Sequence, residues 1–160
     1  MFKNLAIPLA LLMAATFGCG KSQTYKTRDG EVTVDKKAGQ VTFEGKTKDG
    51  DVKVAASEHG VALPDNFPKD VPIYKGALVK IASTQGKTML VHLAVSASVD
   101  EALKYYQDQL KDQGWEIQST MNMGEGSMLS AKKAERQCSA MVLKDKKGTM
   151  VQLTVTQPGS

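Results

Sequence analysis

The sequence predicts an α+β fold: an antiparallel sheet packed by one α-helix, ordered β-β-α-β-β-β-β over residues 77–157 and preceded by a small three-stranded β meander. Three observations carry that expectation. Residues 99–113 hold one apolar stripe at helical spacing, short runs of period-two alternation lie on both sides of it, and turn dipeptides separate the runs. A chain of 160 residues has room for one domain with a small appendage and excludes a long multi-domain enzyme.

The helix is defined at both ends. Ser98-Val99-Asp100-Glu101 supplies a capping box, with Ser98 as N-cap and Glu101 at N3, and places acids where the helix dipole is positive. Val99, Leu103, Tyr106 and Leu110, with Ala102 between them, form the apolar stripe, and Gly114 stands where a left-handed residue ends a helix. Lys104, Gln107, Asp108 and Lys111 fall on the wet side.

Before the helix, Ala77, Val79 and Ile81, then Met89, Val91, Leu93 and Val95, alternate across a turn at Gln85-Gly86-Lys87, which makes a hairpin. After it, residues 115–121 and 127–133 flank Gly124-Glu125-Gly126, and residues 138–144 and 150–156 flank Lys146-Lys147-Gly148, two further hairpins. Val151, Leu153 and Val155 share one phase while Gln152, Thr154 and Thr156 take the other, so one sheet face is expected to be wet.

Residues 29–57 read as the meander, with Val32 and Val34, Val41 and Phe43, and Val52 and Val54 as its alternating apolar positions. Six apolar side chains, at about 1.5–3 kcal/mol each when fully buried, barely offset the ordering of such a segment, so it must lean on the rest of the chain or on a partner. Residues 58–76 form an extended connector, because Pro64, Pro68 and Pro72 each bias their predecessor away from helix. Leu63, Phe67, Val71, Ile73 and Tyr74 are available to pack it across the following domain.

The N-terminus reads as an address. Lys3 gives a charged n-region, and the thirteen residues from Leu5 to Phe17 make an apolar h-region spanning about 20 Å, short of the roughly 30 Å bilayer core. Residues 1–18 are therefore a cleaved signal peptide, and the polar residues 19–28 a tether. The Thr16-Phe17-Gly18-Cys19 end resembles the lipobox of bacterial lipoproteins, a small residue followed by the acylated cysteine. That resemblance implies lipid attachment at Cys19, and Gly20 in place of a retaining Asp implies the outer membrane, with the body facing the periplasm. Acyl chains contribute about 0.8 kcal/mol per buried methylene, so several hold firmly.

The segment Leu63-Pro64, Phe67-Pro68, Asp70-Val71-Pro72-Ile73-Tyr74 and Gly76-Ala77, followed by a hairpin and a helix with Tyr105-Tyr106 ending at Gly114-Trp115, is similar to bacterial lipoproteins and secreted proteins with no assigned activity. The one-helix layout also resembles helix-grip domains in lipoprotein subunits of the outer-membrane barrel-assembly machinery, a likeness of fold that carries no function.

Little in the chain speaks for chemistry. Zinc-protease, serine-hydrolase, nucleotide-loop and Cys-x-x-Cys motifs are absent, so no catalytic residue, cofactor or enzymatic activity is expected. His59 and His92 read as surface residues, and Cys138, left alone once Cys19 is acylated, as a small buried hydrophobe on a strand. Lys+Arg 21 against Asp+Glu 17 gives +4, of which removal of the signal takes one charge, too small an excess for a nucleic-acid binder. Residues 131–147 are locally basic through Lys132, Lys133, Arg136, Lys144, Lys146 and Lys147, a solvated hairpin or a contact for anionic envelope polymers. Met121, Met123 and Met128 form the one alternative site, a thioether cluster suited to Cu(I), although methionines equally suit an irregular core edge. The expected function is thus a non-catalytic binding or envelope-assembly module, anchored to the membrane by lipid and serving an envelope protein or polymer partner.

Overall fold

A computed structural model describes residues 22–27, 30–37, 39–47 and 50–158. The signal segment and Cys19 lie outside these described residues. One antiparallel sheet of ten strands dominates, with the strands β1 (Gln23–Thr27), β2 (Gly30–Lys37), β3 (Gln40–Thr47), β4 (Gly50–Ser57), β5 (Leu78–Gln85), β6 (Thr88–Val95), β7 (Glu116–Asn122), β8 (Gly126–Lys133), β9 (Arg136–Asp145) and β10 (Gly148–Thr156). The helix α1 (Val99–Asp112) joins β6 to β7. Across the sheet the strands run β1-β2-β3-β4-β5-β6-β10-β9-β8-β7, so the chain builds inward to β6, crosses by the helix to the far edge, and returns strand by strand to close on β6 through β10. The α+β class holds, but the meander is no separate sheet: Val52–Ala56 of β4 pair with Ile81–Gln85 of β5 and make one continuous surface.

Residues 23–27, expected to be part of a tether, form β1. Polar strands carry no alternation to read, yet five backbone pairs with β2 from Gln23↔Val34 to Thr27↔Gly30 and a hydroxyl contact of 3.1 Å between Thr24 and Thr33 order this one.

The helix forms where its sequence says. Ser98 Oγ accepts from the Glu101 amide at 3.2 Å and Glu101 Oε2 accepts from the Ser98 amide at 2.9 Å, which completes the capping box. Gly114, at φ +78, reverses the chain so that its amide reaches Lys111 O and the Trp115 amide reaches Leu110 O. Ala102, Tyr106 and Leu110 are buried against β7 to β10. Facing them are Leu129, Ala131, Cys138, Ala140, Val142, Val151, Leu153 and Val155, all of one strand phase, and Val91, Leu93 and Val95 extend the same core.

The connector takes the same side of the sheet. Val61, Leu63, Phe67, Val71, Ile73 and Tyr74 join the core, the Val61 amide donates to Val79 O at 2.9 Å, and the Tyr105 hydroxyl of the helix donates to Ile73 O at 2.9 Å. Helix and strap together therefore form one layer on one face of the sheet, as the five apolar side chains among the prolines required.

Candidate functional site

Two faces of one sheet compete for the role, and their packing separates them. On the helix face the space is filled: Tyr106, Leu110, Leu93, Leu129, Leu153, Val91, Val142, Val151 and Val155 are each at most 1% exposed. A polar clamp locks this layer. The Asp70 carboxylate accepts from Arg136 Nη1 and Nη2 at 2.9 and 2.6 Å and from Lys133 Nζ at 2.7 Å, and Asp70 O accepts from Trp115 Nε1 at 2.8 Å. Lys133 also donates to Gln113 O at 2.7 Å, on the last carbonyls of the helix, and the Arg136 guanidinium lies 4.9 Å from the Trp115 ring centre. Arg136, then Lys133, hold the Asp70 carboxyl at about 2, well below its ordinary 3.8 and against the opposing effect of partial burial.

The clamp uses the basic residues that composition offered to an anionic partner. Lys132, Lys133 and Arg136 stand at the β8–β9 turn, while Lys144, Lys146 and Lys147 stand at the β9–β10 end, so the basic run divides between opposite ends of β9 and forms no single patch. Cys138 sits in the core at 2% exposure, with its thiol pushed up to about 12 by burial first and by Asp70 second. Such a thiol is a packing residue, since the thiolate is the reactive form. Burial likewise pushes the Tyr106 hydroxyl well above its usual range, and that buried oxygen makes no well-formed hydrogen bond.

The opposite face carries no helix and no strap among the described residues. Its composition is the surprise of the structure, because register assembles what single strands conceal. Reading across β3, β4, β5, β6, β10, β9, β8 and β7, one row runs Val41, Ala56, Ile81, His92, Gln152, Met141, Met128, Met121. A neighbouring row runs Val34, Phe43, Val54, Ser83, Leu90, Thr154, Ser139, Ser130, Ser119 from β2 to β7. On the other side, Leu78, Ala94, Met150 and Leu143 form a third. Most of these side chains are half-buried, and Val41, Leu78 and Met121 are openly exposed. The face expected to be wet is therefore amphiphilic, apolar at the meander and at the β9–β10 turn end, where Met141, Leu143 and Met150 stand, and hydroxyl-bearing toward the other end of β9 and β10, where Ser139, Thr154 and Thr156 stand. Val34, Val41, Phe43, Val52 and Val54 of the meander lie here, away from the core, so its strands lean on the sheet edge-on and leave that face uncovered among the described residues.

Val41, Ala56, Ile81, His92 and Met150, with the ion pair of Glu58 Oε2 and Lys80 Nζ at 2.8 Å, line a shallow groove of about 520 Å³ on this face. His92 lies in the groove and His59 in the exposed turn after β4, and neither joins a group of three His, Cys, Asp or Glu able to hold a metal among the described residues. Of the thioethers expected to cluster, Met121 and Met128 are direct cross-strand partners, whereas Met123 stands beyond the end of β7, its amide bonded to Gly126 O at 2.7 Å. Met141, on the far side of Met128, takes the third place in the row. Sequence spacing within β7 pointed to Met123; only the β8–β9 register points to Met141.

Residues 78–158 match a family model described as START domain-like, half of the chain. The chain belongs to the START domain-like family, and the match points to a ligand-binding module. No curated protein and no solved structure matches it. The matched span begins at β5 and ends just past β10, so it takes in the helix, the clamp residues Lys133 and Arg136, and the six strands around them, while the strap and the meander precede it.

Proposed function

We propose that this chain is a lipoprotein anchored through Cys19 to the outer membrane, its body in the periplasm, acting as a non-catalytic binding or envelope-assembly module through the open face of its sheet. One observation carries the reading: helix and strap cover one face of the sheet, and among the described residues no layer lies over Phe43, Val54, Ile81, Leu90, Ala94, Met141 and Leu143 on the other. Apolar side chains grouped on an open sheet face mark an interaction site on a folded domain. The family match supports a binding role, and the lipobox-like Gly18-Cys19 supports the anchor. A non-catalytic role is favoured by a core-bound thiol at Cys138 and two histidines on separate elements. No helix among the described residues is long and apolar enough to cross a membrane.

The partner is an envelope protein. Capture from detergent extracts tests the face: Leu90→Glu, a charge on the open side, abolishes recovery of the protein retained by the wild type, whereas Lys104→Glu on the wet side of the helix does not. Equal recovery by both variants overturns the assignment of the face. Membrane fractionation of Cys19→Ala tests the anchor, with the protein moving from the membrane to the soluble fraction; retention in the membrane removes the lipid from the account.

A further inference from the structure

We propose that Met121, Met128 and Met141 form a thioether site for a monovalent soft metal ion, Cu(I), on the open face of the sheet. Met128 stands directly opposite Met121 on one side and directly opposite Met141 on the other, so the three occupy one row across β7, β8 and β9 and project from one face. Directly opposed residues in antiparallel strands hold their Cβ atoms about 5 Å apart. Methionine is long and unbranched, with reach enough for the two outer thioethers to share an ion with the central one.

Core filling does not account for the row. The residues that alternate with it, Leu129 on β8 and Ala140 and Val142 on β9, are the ones fully buried under the helix. Met128 and Met141 point the other way and are half-buried, and Met121 at the sheet edge is 48% exposed, which gives an ion a way in and a partly dry seat. Continuous apolar packing does not account for it either, since Ser119, Ser130 and Ser139 stand beside the three methionines on the same face. Three neutral, polarisable thioethers suit Cu(I), whereas Mg²⁺ and Ca²⁺ prefer oxygen donors and Zn²⁺ prefers thiolate, imidazole or carboxylate, none of which these three side chains supply. The site differs from a docking surface in one testable property: leucine preserves apolar area and removes the sulfur.

Anaerobic competition against a colorimetric Cu(I) chelator provides the test, using the full chain carrying Cys19→Ser so that no accessible thiol competes. One Cu(I) binds per chain, and combining Met121→Leu, Met128→Leu and Met141→Leu weakens binding at least about 100-fold, while Met123→Leu changes it less than about 2-fold. Unchanged affinity in the triple variant overturns the site, as does a loss on Met123→Leu equal to that on Met141→Leu. Should the triple variant fail to fold, Ag(I) titration of the otherwise unsubstituted protein with ¹³C-methyl methionine decides the matter. The methyl resonances of Met121, Met128 and Met141 then shift at one equivalent while those of Met89 and Met150 stay; shifts confined to other methionines, or none, contradict the proposal.

Discussion

Asp70 joins three parts of the molecule that sequence keeps far apart: it lies in the connector, while Lys133 and Arg136 lie 63 and 66 residues away on β8 and β9. The carboxylate is depressed to about 2 in the folded chain from an ordinary 3.8, so the stabilisation it brings is present above the unfolded value and is lost as pH falls from about 4 toward about 2. Asp70→Asn therefore lowers the unfolding free energy by about 1–2 kcal/mol at neutral pH, discounted for partial exposure, and the gap from wild type closes in denaturant titrations at pH 2. Cys138 makes the opposite kind of prediction. With its thiol raised to about 12 by burial, it stays unreactive toward a disulfide reagent at pH 8 in the native state and reacts on unfolding, whereas a fast native reaction contradicts its placement. Tyr106→Phe removes a buried hydroxyl that has no well-formed partner, so thermal melts of the variant fall level with or above the wild type. Of these residues Cys138 and Tyr106 were legible in the sequence, because a strand phase announces the burial of one and the helical apolar stripe that of the other. The Asp70 clamp was not, since ion pairs across more than sixty positions leave no local pattern.

At the scale of elements, what the sequence expressed locally it expressed well. The capping box, the apolar stripe and Gly114 define the helix to within a residue, because each acts through neighbours three or four positions away. Ser98→Ala removes the oxygen that accepts the Glu101 amide and costs about 1 kcal/mol of stability, visible as a lower midpoint in urea with an unchanged slope. The hairpins were legible for the same reason, their turns being named by glycine. Strand β1 was not, as its order comes from pairing with β2 and not from any apolar rhythm of its own. The basic run of 131–147 shows the converse: its residues divide between opposite ends of a ten-residue strand, and two of them pair with Asp70.

The whole molecule depends on register, which the sequence of any one strand does not reveal. Gln152 and Thr154 mark β10 as wet on one side, yet that side faces Met141, Leu90 and Ala94 from the strands beside it, and the resulting surface is amphiphilic. The layer order was legible, since a single helix and an apolar strap can cover just one face of a sheet. Which face stays open among the described residues, and that Val34, Val41, Val52, Val54 and Phe43 of the meander turn toward it, emerges from the pairing of β4 with β5. The central claim is that this uncovered face is the one that binds, and position-specific photo-crosslinking in the intact envelope tests it most directly. A photoreactive residue at Phe43, Leu90 or Met141 gives one discrete adduct of common mass, and the same residue at Lys104 or Lys111 on the wet side of the helix gives none. Adducts from the helix positions, with none from the sheet, would contradict the account.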